Sequence, residues 1–251
     1  MPSYLVPFMT TTLAVVIAAT LAAVAFSESI DRDSRRRAVL TLGAIYAVWV
    51  PTVVWLAEAE WFGAVVSGGA PVLSPAMARL PLAIALPPLV LVVALALSPD
   101  VRRIADGLSQ IWLTGLQSLR VVGGVFVLLW GDGAIPWEFA LPAGLGDVAV
   151  GLIAMVALGK LRSEAPTAAA WVRRTYVFGL ADFVLAIGTG FLSSPSAIQL
   201  LALDRPNEAI QFYPLTLVLA FAVPVFLSLH ILSIRLGAAR RAGSGDAAVA
   251  A

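Results

Sequence analysis

The sequence predicts an all-α, polytopic membrane protein with seven transmembrane helices. Of its 251 residues, 60% are hydrophobic and only 12% are charged, and the mean hydropathy is +0.94. Soluble domains usually contain about 25% charged residues. The few charged residues divide the chain into seven apolar segments, each close to the roughly 20 residues that a helix needs to cross a bilayer.

Each apolar segment is nearly free of charge. The first three contain no acidic, basic or histidine residue, and the apolar parts of the last four contain one each: Arg120, Asp147, Asp182 and His230. We predict a single transmembrane domain over residues 1–236, with spans at about 4–26, 38–57, 80–98, 109–130, 139–159, 172–192 and 213–235. Residues 237–251 have the composition of a short disordered cytoplasmic tail.

Lysine and arginine residues lie almost entirely on alternate connections between the predicted spans. The first, third and fifth connections and the C-terminal tail contain 13 of them, whereas the connections on the other side contain only Arg79 and Arg205. Connections rich in Lys and Arg stay in the cytoplasm. We therefore predict that the N-terminus lies outside and the C-terminus lies in the cytoplasm.

Several prolines lie well inside predicted spans, among them Pro51 in the second, Pro87 and Pro88 in the third, and Pro224 in the seventh. A proline within a helix removes a backbone donor and clashes with the carbonyl group four residues earlier. Kinks are therefore expected at these positions.

The ratio of arginine to lysine indicates a bacterial origin, and the lack of cysteine and the single histidine exclude several kinds of metal site. Arginine outnumbers lysine fifteen to one and alanine is abundant, which is typical of high-GC bacterial genomes and predicts a multi-pass protein of the bacterial inner (plasma) membrane. The chain has no cysteine, which excludes disulfides and thiolate-bound metals, and one histidine cannot form a multi-histidine zinc site. We predict no metal or other cofactor and no nucleic-acid partner.

Three charged residues are predicted near the middle of consecutive spans. With a rise of about 1.5 Å per residue, Arg120, Asp147 and Asp182 lie within about two residues of their span centres, and His230 lies about 9 Å toward the cytoplasm. An unpaired charge at this depth costs at least about 2.5–3.5 kcal/mol to insert, so such residues usually face the bundle interior and find partners.

Both aspartates end a repeated motif, GLGD at 144–147 and GLAD at 179–182. A glycine therefore lies one turn before each aspartate, and small residues allow helices to approach closely. Because the fifth and sixth spans run in opposite directions, a pseudo-two-fold axis in the membrane plane would relate the two copies. Inverted repeats of this kind occur in transporters.

The number of charges suggests a function for these residues. One arginine cannot neutralise two carboxylates, so one aspartate is expected to bind a proton or a cation. We interpret Arg120 as an anion anchor or charge partner, Asp147 and Asp182 as proton- or cation-accepting groups, and Gln117 and His230 as secondary polar contacts. An alternative is that the three charges only hold helices together.

Two functional classes remain open for this polar core. The first is transport of a small solute, or transport linked to a proton. The second is a non-catalytic role as an accessory or assembly protein, which would require a membrane partner or further copies of the chain. The lipid bilayer is a partner under either interpretation.

GLGD also fits the GxGD motif, through which the chain resembles the intramembrane aspartyl proteases (presenilin-like and prepilin-peptidase-like enzymes). The resemblance implies that Asp147 and Asp182 would share a proton and activate water. The chain departs from this family because the motif aspartate comes first, Ala181 replaces a tyrosine, and a separate Pro-Ala-Leu element is missing. Proteolysis is the less favoured alternative, and the chain is not predicted to be an enzyme.

Residues 117–151, QSLRVVGGVFVLLWGDGAIPWEFALPAGLGDVAVG, give a second resemblance. This stretch is similar to that of small multi-spanning bacterial inner-membrane proteins of unknown function. The resemblance implies a membrane-embedded fold and no particular activity.

The predicted orientation can be tested with reporter fusions. Fusions after residue 241 should be active only with a cytoplasmic reporter, and fusions within 63–75 or 195–203 only with a reporter that works outside the cytoplasm, because basic connections remain in the cytoplasm. An exported C-terminus would contradict both the count of seven spans and the charge argument.

Overall fold

The computed structural model describes residues 2–63, 66–67, 70–71 and 78–249. In this part of the chain there are eight helices: α1 (Leu5–Ala25), α2 (Arg32–Glu58), α3 (Arg79–Leu97), α4 (Pro99–Asp106), α5 (Gln110–Gly131), α6 (Trp137–Arg162), α7 (Ala168–Ser193) and α8 (Val223–Val249). Two short antiparallel strands, β1 (Val66–Ser67) and β2 (Ala70–Pro71), lie between α2 and α3. Residues 64–65, 68–69 and 72–77 of the same connection lie outside the described residues.

Seven of the eight helices are long and apolar enough to cross a membrane, and each corresponds to one predicted span. The prediction of an all-α chain with seven such helices is therefore confirmed. The exception is α4, a short helix in the third connection. It begins at Pro99, where a proline is tolerated because the first backbone N–H has no partner in the helix, and the Ser98 hydroxyl accepts the Val101 N–H at 3.3 Å.

The last four long helices form the centre of the bundle. Helix α6 packs along α7 and against the middle of α5, while α8 contacts α3, α5 and α7. Helix α1 packs against α2 and α5. Large apolar side chains on the outside of the bundle, such as Val48, Leu89 and Val184, are more than half exposed, as expected for helices that contact lipid. Arg120, Asp147, Asp182 and His230 belong to α5, α6, α7 and α8, so these charged or polar residues lie on the helices at the centre of the bundle.

Two helices of this centre are irregular. The middle of α5, Ser118–Gly124, is a 3-10 helix, and a π-helical turn, Val218–Ala222, precedes α8. Helices α2 and α3, by contrast, continue through Pro51 and through Pro87 and Pro88. The backbone thus departs from α-helical geometry at the glycine-containing centre of α5 and just before Pro224, where irregular turns often accompany function.

The last helix extends into the segment that is predicted as a tail. The backbone of α8 remains helical to Val249, past residue 237 where the sequence predicts a disordered tail. This segment is rich in alanine and contains two arginines, which are among the strongest helix formers. Residues 250–251 lie outside the described part of the chain.

Close packing of α6 on α5 predicts the effect of a glycine substitution. A Cβ added at Gly151 would lie 2.6 Å from Cγ1 and 2.8 Å from the backbone nitrogen of Val121. Gly151→Ala should therefore lower the free energy of unfolding by about 1–3 kcal/mol, the usual cost of overpacking.

The matched control is Gly159→Ala on the same helix. A Cβ at Gly159 has no neighbour within 4 Å, so this change should not destabilise the protein, since alanine is favoured over glycine in helices. Thermal unfolding in detergent measures both effects. Equal unfolding temperatures for the two variants would contradict the contact between α6 and α5.

Candidate functional site

Four titratable side chains from four helices meet in the centre of the bundle. Arg120 comes from the 3-10 segment of α5, Asp147 from α6, Asp182 from α7 and His230 from α8. The side chain of Arg120 is only 1% exposed, that of Asp182 is 7% exposed and that of Asp147 is 20% exposed. The three charged residues predicted from the sequence therefore lie together, and the side chain of Arg120 is the least exposed of the three.

The Arg120 guanidinium contacts all three other groups. Its Nε donates to Asp147 Oδ1 at 2.7 Å, and its Nη2 donates to Asp182 Oδ2. Its Nη1 donates to the carbonyl oxygen of Gly179 at 3.3 Å and lies 3.4 Å from His230 Nε2. Arginine can only donate, so His230 Nε2 must accept in this contact. Both aspartates thus share one cation.

An aromatic ring covers the same guanidinium. Cζ of Arg120 lies 4.0 Å from the centroid of the Phe183 ring, within the range of a cation–π interaction. The His230 ring contacts Phe183 edge to face, with centroids 5.9 Å apart. This contact could not be predicted from the sequence, because phenylalanine is a common residue in apolar spans and nothing distinguishes Phe183 from the others.

Glycines provide the space for these charged groups. A Cβ at Gly123 would collide with the carboxylate of Asp147, one at Gly146 with Asp182 Oδ1, and one at Gly179 with His230 Nε2. No other amino acid lacks a Cβ. The close approach of four polar side chains therefore depends on glycine at three positions, each on a different helix.

These contacts explain the difference between GLGD and GLAD. The first glycine of each motif permits a close helix contact: a Cβ at Gly144 would lie 2.8 Å from Val127 Cγ2 on α5, and Gly179 faces His230 on α8. The third positions differ because Gly146 contacts the carboxylate of Asp182, whereas Ala181 is exposed. The expected small-residue surface before each aspartate is present, but its two copies meet different helices.

The remaining predicted residue, Gln117, lies one turn from Arg120 on α5 and is 2% exposed. Its Nε2 donates to the carbonyl oxygen of Phe226 at 3.4 Å, so it joins α5 to α8 without a direct hydrogen bond to the charged groups. Three buried atoms in this region have no hydrogen-bond partner among the described residues: Gln117 Oε1, Asp182 Oδ1 and His230 Nδ1.

The space around the charges is small. A cavity of about 50 Å³ is lined by Arg120, Asp147 and Phe183 together with residues of α1, α5 and α8, and a second cavity of about 20 Å³ lies beside Asp182 and Phe139. One water in the liquid occupies about 30 Å³. In this conformation these cavities have room for a few water molecules at most, and they are far smaller than the roughly 300–1,000 Å³ of a typical ligand pocket.

The shared arginine predicts coupling between the charged residues. Arg120→Leu should lower the free energy of unfolding by about 3–5 kcal/mol, because it leaves buried carboxylates unpaired. Adding Asp147→Asn or Asp182→Asn should each recover part of that loss, since Arg120 binds both. Thermal unfolding of the single and double variants measures the coupling.

Arg103→Leu is the matched control for this series. Arg103 pairs with Asp100 at 3.0 Å, but the two side chains are 68% and 80% exposed, so the loss should be about 0–1 kcal/mol. Strictly additive losses in both double variants would show that Arg120 does not pair with either aspartate.

Comparison with known proteins places these residues within one family. The family described as "Domain of unknown function (DUF8737)" matches residues 77–236. No curated protein and no solved structure matches the chain. The matched region runs from the start of α3 into α8 and includes all four residues of the charged centre, whereas α1 and α2 precede it. Because the match covers more than half of the chain, the protein belongs to the DUF8737 family.

Proposed function

We propose that this protein is a proton-linked transporter of a small solute in the bacterial inner membrane. In this proposal Asp182 binds the coupling proton, Arg120 holds the two carboxylates together, and Asp147 balances the arginine. The orientation follows the basic connections, with the N-terminus outside and the C-terminus in the cytoplasm.

The observation that carries this proposal is the imbalance of charge at the centre. Among the described residues, Arg120 is the single cation in direct contact with Asp147 and Asp182, and its contact with His230 requires an accepting, neutral ring nitrogen. If both carboxylates were ionised, an excess negative charge would lie in the middle of the membrane, where it is strongly unfavourable. One carboxylate is therefore expected to take up a proton.

Two features favour Asp182 as the proton-binding residue. Its Oδ1 is buried and has no protein partner in the described chain, so this oxygen is available for a proton. Asp147 has the more exposed side chain, 20% against 7%, and water can stabilise its charge. The unpaired buried oxygen of Asp182 and the low exposure of its side chain thus favour Asp182 over Asp147 as the protonated residue.

The surroundings of Asp182 favour a proton over a metal cation. Hard cations need about six oxygen ligands arranged around them. The free Oδ1 of Asp182 instead packs directly against the backbone of Gly146, so closely that even a methyl group would not fit there. A proton needs no such coordination shell.

A second function, assembly of a membrane complex, is supported by the number of helices that Arg120 joins. Its contacts reach α6, α7 and α8 from α5, which is what a purely structural charge network would do. Proteolysis is less well supported, because a protease dyad shares a proton between two carboxylates, and here each carboxylate instead binds the arginine.

Asparagine substitutions separate transport from assembly. Purified wild type, Asp182→Asn and Asp147→Asn would be reconstituted in liposomes containing a pH-sensitive dye, and pools of amino acids, sugars or organic acids would be added. The wild type should move protons with one pool. Asp182→Asn should fold and yet move none, because an amide keeps the hydrogen bonding but cannot exchange a proton at working pH.

Asp106→Asn provides the matched control. Asp106 pairs with Arg235 at 2.7 Å at one end of the bundle, where its side chain is 40% exposed, so this variant should retain proton movement. Unchanged proton movement in both Asp182→Asn and Asp147→Asn would reject the proposal in favour of assembly. Cleavage of a membrane substrate by the wild type, lost in both variants, would instead support proteolysis.

Infrared spectroscopy provides a measurement that needs no solute. The wild type should show the C=O stretching band of a protonated carboxylic acid, and this band should be absent from Asp182→Asn. In Asp147→Asn the band should also be lost, because Asp182 then remains as the one carboxylate that balances Arg120. A band that survives in Asp182→Asn would show that the proton is bound elsewhere.

A further inference from the structure

One end of the bundle carries the connections rich in arginine and lysine and is called the basic end below. The half of the bundle between this end and the charged centre contains a continuous polar stripe. On α5, Gln110, Thr114 and Gln117 lie three or four residues apart, on the helix face that leads to Arg120, and all are at least 94% buried. Gln110 and Arg120 are separated by about 15 Å along the helix. Apolar residues would be expected at such buried positions of a membrane helix, so this stripe requires an explanation.

Helices α7 and α8 extend the stripe with buried polar residues of their own. Gln110 Nε2 donates to Thr114 Oγ1 at 3.1 Å and to Ser233 Oγ of α8 at 2.7 Å. His230 lies one turn closer to the centre on α8, and Thr175 lies one turn before Gly179 on α7. Three helices that contact one another thus turn polar side chains into the same half of the bundle.

Three buried atoms of this stripe and of the charged centre have no partner among the described residues, and Asn207 Oδ1, Thr216 Oγ1 and Arg235 Nε also lack one elsewhere in the bundle. Gln117 Oε1, His230 Nδ1 and Asp182 Oδ1 have no hydrogen-bond partner among the described residues. Leaving such groups unsatisfied is costly, and in folded proteins buried water usually supplies the missing hydrogen bonds. Gln117 Oε1 and His230 Nδ1 therefore mark where water molecules are needed between Gln110 and Asp182, whose own Oδ1 packs against the backbone of Gly146.

A large cavity lies at the basic end of the stripe. It has a volume of about 660 Å³ and is lined by Gln110, Glu164, Arg173, Tyr176, Ser233 and neighbouring residues. Arg173 and Glu164 are exposed, so the cavity is in contact with solvent. We call this cavity the vestibule. Gln110 and Ser233 line the vestibule and also belong to the polar stripe, so the stripe begins at the vestibule.

The other half of the bundle is different. Phe126 and Phe139 pack edge to face with centroids 5.2 Å apart, and together with Phe183 they form an aromatic layer beside the charges. The cavities at this layer measure only about 20 and 50 Å³. A wider groove lies between α1 and α5, and apart from Thr11 and Thr12 its lining is apolar, with Phe8, Leu119 and Val122 among its residues, so lipid is expected to fill most of it.

We infer that the protein contains a hydrated half-channel that runs from the vestibule at the basic end along Gln110, Thr114, Gln117 and His230 to the Arg120–Asp182 pair, and that the aromatic layer closes it on the other side. The inference deepens the proposed function, on which its role rests, because it gives the route by which a proton in water reaches Asp182. Among the described residues, the open cavity that meets this stripe lies at the basic end.

The absence of natural cysteines allows a direct test. Single cysteines at Thr114 and Ser233 would line the half-channel, and cysteines at Ala143 and Ala186, which line the cavity at the aromatic layer, are the matched controls in the other half. Ser163→Cys and Ala197→Cys, at exposed positions in the connections at the two ends, would mark the side to which a reagent has access.

Silver ions would be added to one side of membrane vesicles, and the thiols that remain free would be titrated after purification. Thr114→Cys and Ser233→Cys should react only from the side at which Ser163→Cys reacts. Ala143→Cys and Ala186→Cys should react at least about tenfold more slowly from either side, because the ion must cross an apolar layer. Thr175→Cys replaces Thr114→Cys if that variant does not fold.

Two results would overturn the half-channel: reaction at Thr114→Cys no faster than at Ala186→Cys, or reaction from the side marked by Ala197→Cys. The test is independent of proton movement. A positive result combined with proton movement in Asp182→Asn would reject the proposed function and leave the half-channel standing, and the opposite combination would reject the half-channel alone.

Discussion

The centre of this protein depends on one guanidinium group shared by two carboxylates. Arg120 is almost fully buried, and its hydrogen bonds reach three helices besides its own. A charged side chain at this depth is tolerated only when partners surround it, so the positions of α6, α7 and α8 around α5 are constrained together. Within the described part of the chain, the same constraint leaves a buried carboxylate oxygen, Asp182 Oδ1, without a hydrogen-bond partner.

The helices can meet the needs of this group because their backbones approach closely. Gly123, Gly146 and Gly179 each face a polar side chain of another helix where a Cβ would not fit. In lipid, helices gain little from burying apolar surface against one another, and packing at small residues takes a larger part in their association. The 3-10 segment of α5 contains both Arg120 and Gly123, so the least regular backbone lies at the most polar position.

A polar stripe lies on one side of this centre and an aromatic layer on the other, although buried Ser193, Asn207 and Thr216 also lie toward that second end. Gln110, Thr114 and Ser233 continue the polar interior toward the basic end, and Phe126, Phe139 and Phe183 replace it in the opposite direction. Transporters work by exposing one site to the two sides in turn. An interior that is hydratable on one side and closed on the other is the arrangement expected of one state of such a cycle. Nearly all of it lies within the region that defines the family.

The sequence by itself determined the all-α class, the seven apolar helices and the depth of Arg120, Asp147 and Asp182, because the thickness of a bilayer fixes helix length and makes each internal charge conspicuous. Only the tertiary structure decided that both aspartates bind the same arginine and that His230 contacts it. It also decided that Gly146 makes room for the carboxylate of Asp182 and not for that of its sequence neighbour Asp147. Periodicity specifies the face of a helix on which a residue lies, but the rotation and spacing of neighbouring helices, which set these contacts, arise from side-chain packing between segments far apart in the chain.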